Sequence, residues 1–388
     1  MPRAAYDDVV IAAPVTRPYT RYSIRGAHWF LAGALAELMR RCGLAKQEID
    51  GLCVSSFTLA PDTAVGLTQH LGMTLRWLDH IPMGGACGIV ALRRAARAVQ
   101  CGDADAVACV AGDTNHPDSF RMNLATFSQF ARDAVYPYGS GGANASFAFL
   151  TAYYMRTYGA TPEDFGKLCV AQRANALKFP HALMKKPLTL DEYLTARLIA
   201  DPLRLFDCVM PCAGADAFVV LRRARAEQLG LPYARVLATI ERHNAFPDDP
   251  VQYRGGWALD REELYAQADV EPRDIDVLAT YDDYPVISLM QIEDLGFCAK
   301  GQGGRFVSDG NLISGTGKLP FNTDGGGLCS NHPVNRGGMT KIIEAVRQLR
   351  GEAHPKVQVP NCDLAIAHGT GGLLGVRHAA STAILERV

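Results

Sequence analysis

The chain repeats itself, and the repeat limits what it can fold into more than any other feature. The stretch EIDGLCVSSF, with Ile49-Asp50, has its counterpart in DIDVLATYDD, with Ile275-Asp276. A helical run at 88–100, ending Ala98-Val99-Gln100, is echoed at 338–350 by Ala345-Val346-Arg347. A strand-like stretch follows each helix, ADAVACVAGD in the first copy and CDLAIAHGTGG in the second. Alternating strands and helices mark a layered α/β fold, and two copies of one βαβα unit predict two similar halves. The two central helices, rich in Ala and Ile, are expected to pack on each other between two sheets.

Within this frame the first half reads as a strand at 8–14, a helix at 28–41 closed by Gly43, and a strand at 51–55. A helical stretch at 62–71 and a short strand at 76–81 follow. Ala106 to Ala111 is uniformly apolar, the pattern of a strand buried on both faces of a parallel sheet. Between 114 and 205 the alternation breaks up. Tyr136, Tyr138, GSGGANASF and a polar helix at 162–178 fall there, with Lys167, Arg173, Lys178, Lys185 and Lys186 making it locally basic. It reads as a long insertion, and long insertions in compact folds are usually functional. GSGGANA lacks the Lys-Ser/Thr ending and the glycine spacing of phosphate loops, which leaves close backbone approach to a pocket or an ordinary turn-rich lid. The strand at 214–222 closes the first half, 1–232, and the second half occupies 233–388.

Composition narrows the function classes. With 388 residues, 48% of them hydrophobic, and a net charge of −1, the chain can bury large cores and has no electrostatic case for nucleic acid or an anionic membrane surface. No apolar run of about 18 residues exists, so no membrane span is expected. The N-terminal residues lack the apolar centre of a secretion signal. Eleven cysteines scattered through apolar segments suit a reduced, cytoplasmic protein. Cys208 and Cys212 have no second pair and no histidine nearby, so no metal site is expected.

One cysteine stands apart. In MGGACGIVAL, Gly84 and Gly85 allow a tight turn and Cys87 falls at the mouth of the helix that follows. A helix N-terminus favours thiolate over thiol, and the thiolate is the nucleophile. Two readings of Cys87 stay open on position alone: an activated nucleophile, or a small core residue as most free cysteines are.

Four stretches in order, GGACGIVAL, YDDYPVISLMQIEDLGF, LPFNTDGGGLCSNHP and AIAHGTGGLLG, together with the repeat, resemble the thiolase superfamily. The likeness covers essentially the whole chain and is closest to the sterol-carrier-protein or lipid-transfer-protein thiolases. It implies a layered α/β/α/β/α sandwich with a loop-domain insertion, a coenzyme A thioester as substrate with no permanently bound cofactor, and a homodimer. A small zinc-ribbon and OB-fold partner protein is implied in the same way. The resemblance makes Cys87 the acyl-accepting nucleophile and His332 its base, with the backbone N–H groups of Cys87 and Gly371 as oxyanion donors. Basic residues of the insertion would meet the phosphates of coenzyme A.

Three departures from the family pattern bear on chemistry. Tyr281 stands where these enzymes polarise the substrate carbonyl with a histidine, Asp283 stands where they carry an acid/base cysteine, and Gly369-Thr370-Gly371 replaces the last Cys-x-Gly. Cys329, three residues before His332, is the only spare thiol nearby. The expected function is therefore thiolase-like acyl transfer on CoA thioesters, making or breaking a carbon–carbon bond through Cys87. The first alternative is retro-aldol cleavage of a β-hydroxyacyl-CoA with Tyr281 as acid/base. The second is a non-catalytic acyl-CoA or lipid-binding subunit of a complex.

Overall fold

A computed structural model describes residues 5–118, 137, 139, 142–249, 251–332, 337–371 and 379–388. Tyr136, Tyr138, Ser140 and Gly141 of the insertion, Pro333 to Arg336 after the histidine, and Gly372 lie outside the described residues.

The first half runs β1 (Val9–Thr16), α1 (Ala27–Cys42), β2 (Gly51–Ser55), α2 (Ala64–Leu71), β3 (Trp77–His80), α3 (Cys87–Cys101) and β4 (Ala106–Asp113). The insertion holds α4 (Gly142–Tyr158), α5 (Pro162–Lys178) and a small hairpin of β5 (Leu198–Ala200) and β6 (Leu203–Arg204), after which β7 (Gly214–Arg222) returns to the sheet. The second half runs β8 (Tyr233–His243), α6 (Trp257–Ala268), β9 (Val277–Thr280), α7 (Pro285–Asp294), α8 (Gly337–Leu349), β10 (Leu364–Gly371) and β11 (Ala379–Arg387).

The strand order is β3-β2-β4-β7-β1-β8-β11-β10-β9. The two expected sheets are thus joined into one nine-stranded ladder, through a three-residue antiparallel contact of Val10, Ile11 and Ala12 with Arg235, Ala234 and Tyr233. Five layers result. One apolar cluster joins α3 and α8 to the inward faces of both halves, including Val107, Cys109 and Ala111 of β4 and Ala365 and Ala367 of β10. A second cluster packs α1 on the other face of the first half, taking the alternate residues Ala106, Ala108 and Val110 of β4. The third covers the outer face of the second half with α6 and α7, and the insertion helices pack into it. Uniformly apolar strands are what a sheet covered on both faces needs.

The repeat extends to single hydrogen bonds. Asp50 accepts the N–H groups of Asp105 and Ala106 at the start of β4, and Asp276 accepts those of Asp363 and Leu364 at the start of β10. The two central helices touch at their N-termini. A Cβ on Gly88 would come within 2.7 Å of the Gly338 carbonyl oxygen, so this crossing requires glycine.

Candidate functional site

Both central helices begin at the site. The Cys87 loop is shorter than its pattern suggests: Gly84–Ala86 is a single 3₁₀ turn and α3 starts at Cys87 itself. Gly84 takes φ 56°, a conformation that suits glycine. The turn is clamped by the second half. A Cβ on Gly85 would stand 2.3 Å from Tyr281 Cγ and 2.4 Å from the Thr370 carbonyl oxygen, and one on Gly371 would stand 1.8 Å from the Met83 carbonyl oxygen. Gly369, Thr370 and Gly371 are the last three residues of β10, not a loop, because the ladder to β11 continues to Gly371 opposite Ala379.

Cys87 is completely buried, and its thiol is pushed up to about 12. Burial is the main cause. The Ser55 hydroxyl and the Met339 backbone N–H favour the thiolate, but they do not offset desolvation, to which the charge of Asp113 adds. At the first residue of α3, removal from water outweighs the groups that favour the thiolate. The Cys87 N–H, expected as an oxyanion donor, donates to the Gly84 carbonyl and closes the 3₁₀ turn.

The second half brings a different pair together. Tyr281 Oη and His332 Nε2 lie 2.7 Å apart, both side chains buried. Tyr281 follows β9 and is held at both ends of its residue: its N–H donates to the His368 carbonyl, and its carbonyl accepts from Gln291 Nε2. Asn322 pairs through its side chain with both backbone groups of Thr280, fixing the strand end just before it. His332 is tied to the segment just before β7, where the Cys212 N–H donates to its carbonyl.

Asp283 is also buried, and its charge adds slightly to the burial that pushes up the Cys208 thiol. The neighbouring carboxylate, Asp282, was not singled out from the sequence and is the one that organises the site. Its oxygens accept from Lys341 Nζ at 2.7 Å, the Gly327 N–H at 2.8 Å, the Leu328 N–H at 3.2 Å and Gln172 Nε2 at 2.6 Å. Burial nevertheless raises its carboxyl above the usual carboxylate range. The available signal was the polar side of a helix expected to be central, where Lys341, Glu344 and Gln348 share one face and are all buried.

Several of the insertion's described cations are engaged within the chain. Arg173 is buried, with Nε toward Cys329 Sγ and its guanidinium donating to the Lys186 carbonyl. Lys178 donates to the Ser314 carbonyl and Lys167 to the Ser308 hydroxyl. Burial pushes Cys329 up to about 11. Beside Tyr281, the Tyr284 ring stacks on Phe147 of α4 at 4.1 Å and its hydroxyl donates to Asn144 Oδ1 at 2.6 Å. The first turn of α4 thereby brings Asn144 to the segment that carries Tyr281.

Comparison with known proteins agrees with this architecture. Residues 256–387 match the thiolase C-terminal domain-like family. A 17-hydroxy-3-oxo-4-pregnene-20-carboxyl-CoA lyase of Mycobacterium tuberculosis is 31% identical over 372 residues, covering 91% of this chain and 94% of its own. The chain belongs to the thiolase superfamily. A steroid side-chain-cleaving aldolase of Thermomonospora curvata is 34% identical over 328 residues, 80% of this chain and 82% of that one. Among solved structures, an Ltp2-ChsH2(DUF35) aldolase superposes with a TM-score of 0.85 at 29% identity, covering 98% of each chain. These relatives place the chain on the lipid-transfer-protein side of the superfamily, among enzymes. Among the described residues, no helix is long and apolar enough to cross a membrane.

Proposed function

We propose that this thiolase-family enzyme cleaves or forms the carbon–carbon bond between Cα and Cβ of a β-hydroxyacyl-CoA, with the Tyr281–His332 pair as acid/base. The observation that carries this reading is the 2.7 Å contact between the phenol and the imidazole, beside a thiol that burial keeps protonated. In the cleavage direction the β-hydroxyl proton passes to the Tyr281–His332 pair. The Cα–Cβ bonding electrons move into the thioester enolate, and Cβ departs as an aldehyde or ketone. The pair then returns the proton to Cα, leaving a shorter acyl-CoA. Its position beside the Met83–Gly85 turn suits the Gly371 N–H to meet the enolate oxygen, the place where charge develops. Coenzyme A is substrate here and lies against the insertion, with no resident cofactor. A homodimer and a DUF35-type partner belong to the same proposal; the partner is supported by the superposed structure, an Ltp2-ChsH2(DUF35) aldolase.

Thiolase-type acyl transfer through Cys87 is the second reading, favoured by the placement of Cys87 at the first residue of α3 inside the same glycine-clamped turn. The two are separated by offering purified chain, with and without a DUF35-type partner, a β-hydroxyacyl-CoA and a β-ketoacyl-CoA with free CoA. Carbonyl product and shortened acyl-CoA are measured by mass spectrometry. Tyr281→Phe is expected to lose about 10²–10⁴-fold in rate, while Cys87→Ala stays within about tenfold of wild type, a smaller loss than that of a group in proton transfer. An acyl group trapped on Cys87, with Cys87→Ala inactive, would establish acyl transfer in place of aldol cleavage.

A further inference from the structure

We infer that the buried Asp282–Lys341 ion pair is the positioning element that holds Tyr281 against His332. Both side chains are removed from solvent, at 0% and 1% exposure. A buried ion pair is a poor source of stability, since well-packed apolar residues in its place are often as stable or more so. What this pair does supply is geometry. Asp282 is covalently next to Tyr281, and its carboxylate accepts the Gly327 and Leu328 N–H groups of the short turn that leads to His332. The turn is wrapped closely enough that a Cβ on Gly326, at φ 62°, would stand 2.3 Å from Asp282 Oδ2. A Cβ on Gly327 would lie 3.3 Å from His332 Cδ2. One carboxylate therefore sets the distance between the two segments that carry the phenol and the imidazole.

Lys341 anchors that carboxylate to α8, and Gln172 anchors it to α5 of the insertion. Asp282 thus joins the Tyr281 segment, the His332 loop, a central helix and the insertion at one point. Asp282 and Lys341 are positioning residues: they act through the pair and touch each other and the backbone. Their catalytic consequence rests on the proposed role of Tyr281 and His332; their effect on the 2.7 Å contact does not.

The test uses the full chain labelled with ¹⁵N-histidine. The His332 signal is assigned with His332→Gln, and the shift that reports the Tyr281 hydrogen bond is defined by Tyr281→Phe. The double variant Asp282→Asn/Lys341→Met removes both charges together. It is expected to move the His332 Nε2 shift to the Tyr281→Phe value while keeping the wild-type melting midpoint. Lys341→Arg, which keeps the charge, is expected to restore most of the wild-type shift. On a β-hydroxyacyl-CoA the double variant is expected to lose roughly 100-fold in kcat with little change in KM, the size of an ångström-scale misplacement. A double variant that retains the wild-type His332 shift overturns the inference. Should the double variant not fold cooperatively, Asp282→Asn alone carries the same two outcomes, since it keeps the shape of the side chain. If wild type turns over no β-hydroxyacyl-CoA, the proposed reaction falls, and the His332 shift still decides this inference.

Discussion

Two strand–loop–helix crossovers, one from each half, meet at the site. They are built alike until they reach it. Each is preceded by a 3₁₀ turn, Lys46–Glu48 or Pro272–Asp274, and by an aspartate that caps the next parallel strand. Leu52 pairs in parallel with Leu78, and Leu278 makes the matching parallel bridge to Phe321. Beyond that point they diverge. The first crossover enters its helix through one tight turn and puts a thiol at its first residue, in apolar surroundings. The second reaches α8 by a longer route that folds around a buried carboxylate and delivers an imidazole to a phenol. A duplicated unit thus supplies symmetry of backbone, while the surroundings of each helix mouth set which side chains meet there.

Three measurements break or sharpen this contrast. The largest expected effect is on Cys87. With its thiol near 12 rather than 9.0, the thiolate is roughly a thousandfold scarcer at pH 8. Alkylation by iodoacetamide, followed by peptide mass spectrometry, should label the exposed Cys101 rapidly and Cys87 far more slowly, with the Cys87 rate climbing until about pH 12. Equal rates at pH 8 would erase the difference between the two helix mouths. The sign for stability follows from the same shift. Because the folded pKa is raised, the contribution of the protonated thiol is full below its unfolded value and is lost as pH rises through the folded one. Cys42, Cys208 and Cys362, also pushed up to about 12 by burial, add to this alkaline sensitivity.

Next in size is the glycine clamp. Gly85→Ala places a methyl against the Tyr281 ring and the Thr370 carbonyl and should cost about 1–3 kcal/mol in denaturant unfolding. Gly327→Ala, on the second crossover, meets its nearest atom at 3.2 Å and should cost a fraction of that. A reversed order would mean that the longer loop, not the tight turn, is the rigid partner. The smallest contrast is one that should vanish. Asp50→Ala and Asp276→Ala each strip two backbone N–H groups of their acceptor, and each should lose about 1–2 kcal/mol, the exposed Arg76 contact of Asp50 adding only a few tenths. Unequal losses measured by the same unfolding experiment would show that the repeat is equivalent in geometry but not in energy.

Much of this was legible before any coordinates. The strand at 51–55, the helix at 162–178 and the strand at 214–222 match β2, α5 and β7 residue for residue, because apolar periodicity and turn glycines report local structure directly. The pairing of the two central helices followed from the repeat. Of the residues singled out, Tyr281 and Gly371 pack on the turn that leads into Cys87, and His332 joins them through the Tyr281 hydroxyl. Asp282 escaped notice because nothing in YDDY distinguishes which of two adjacent carboxylates will meet a lysine on a helix far along the chain.

By itself, then, the sequence determined the alternation of strands and helices, the repetition of that unit, and the family. Those depend on patterns within a few residues, and on the repetition of those patterns. Tertiary structure alone decided that burial pushes the thiol at the helix mouth up, that a phenol meets the imidazole, and that the insertion of the first half packs on the second. Desolvation and ion pairing depend on which distant segments come together, and a linear pattern does not encode the dielectric around a side chain.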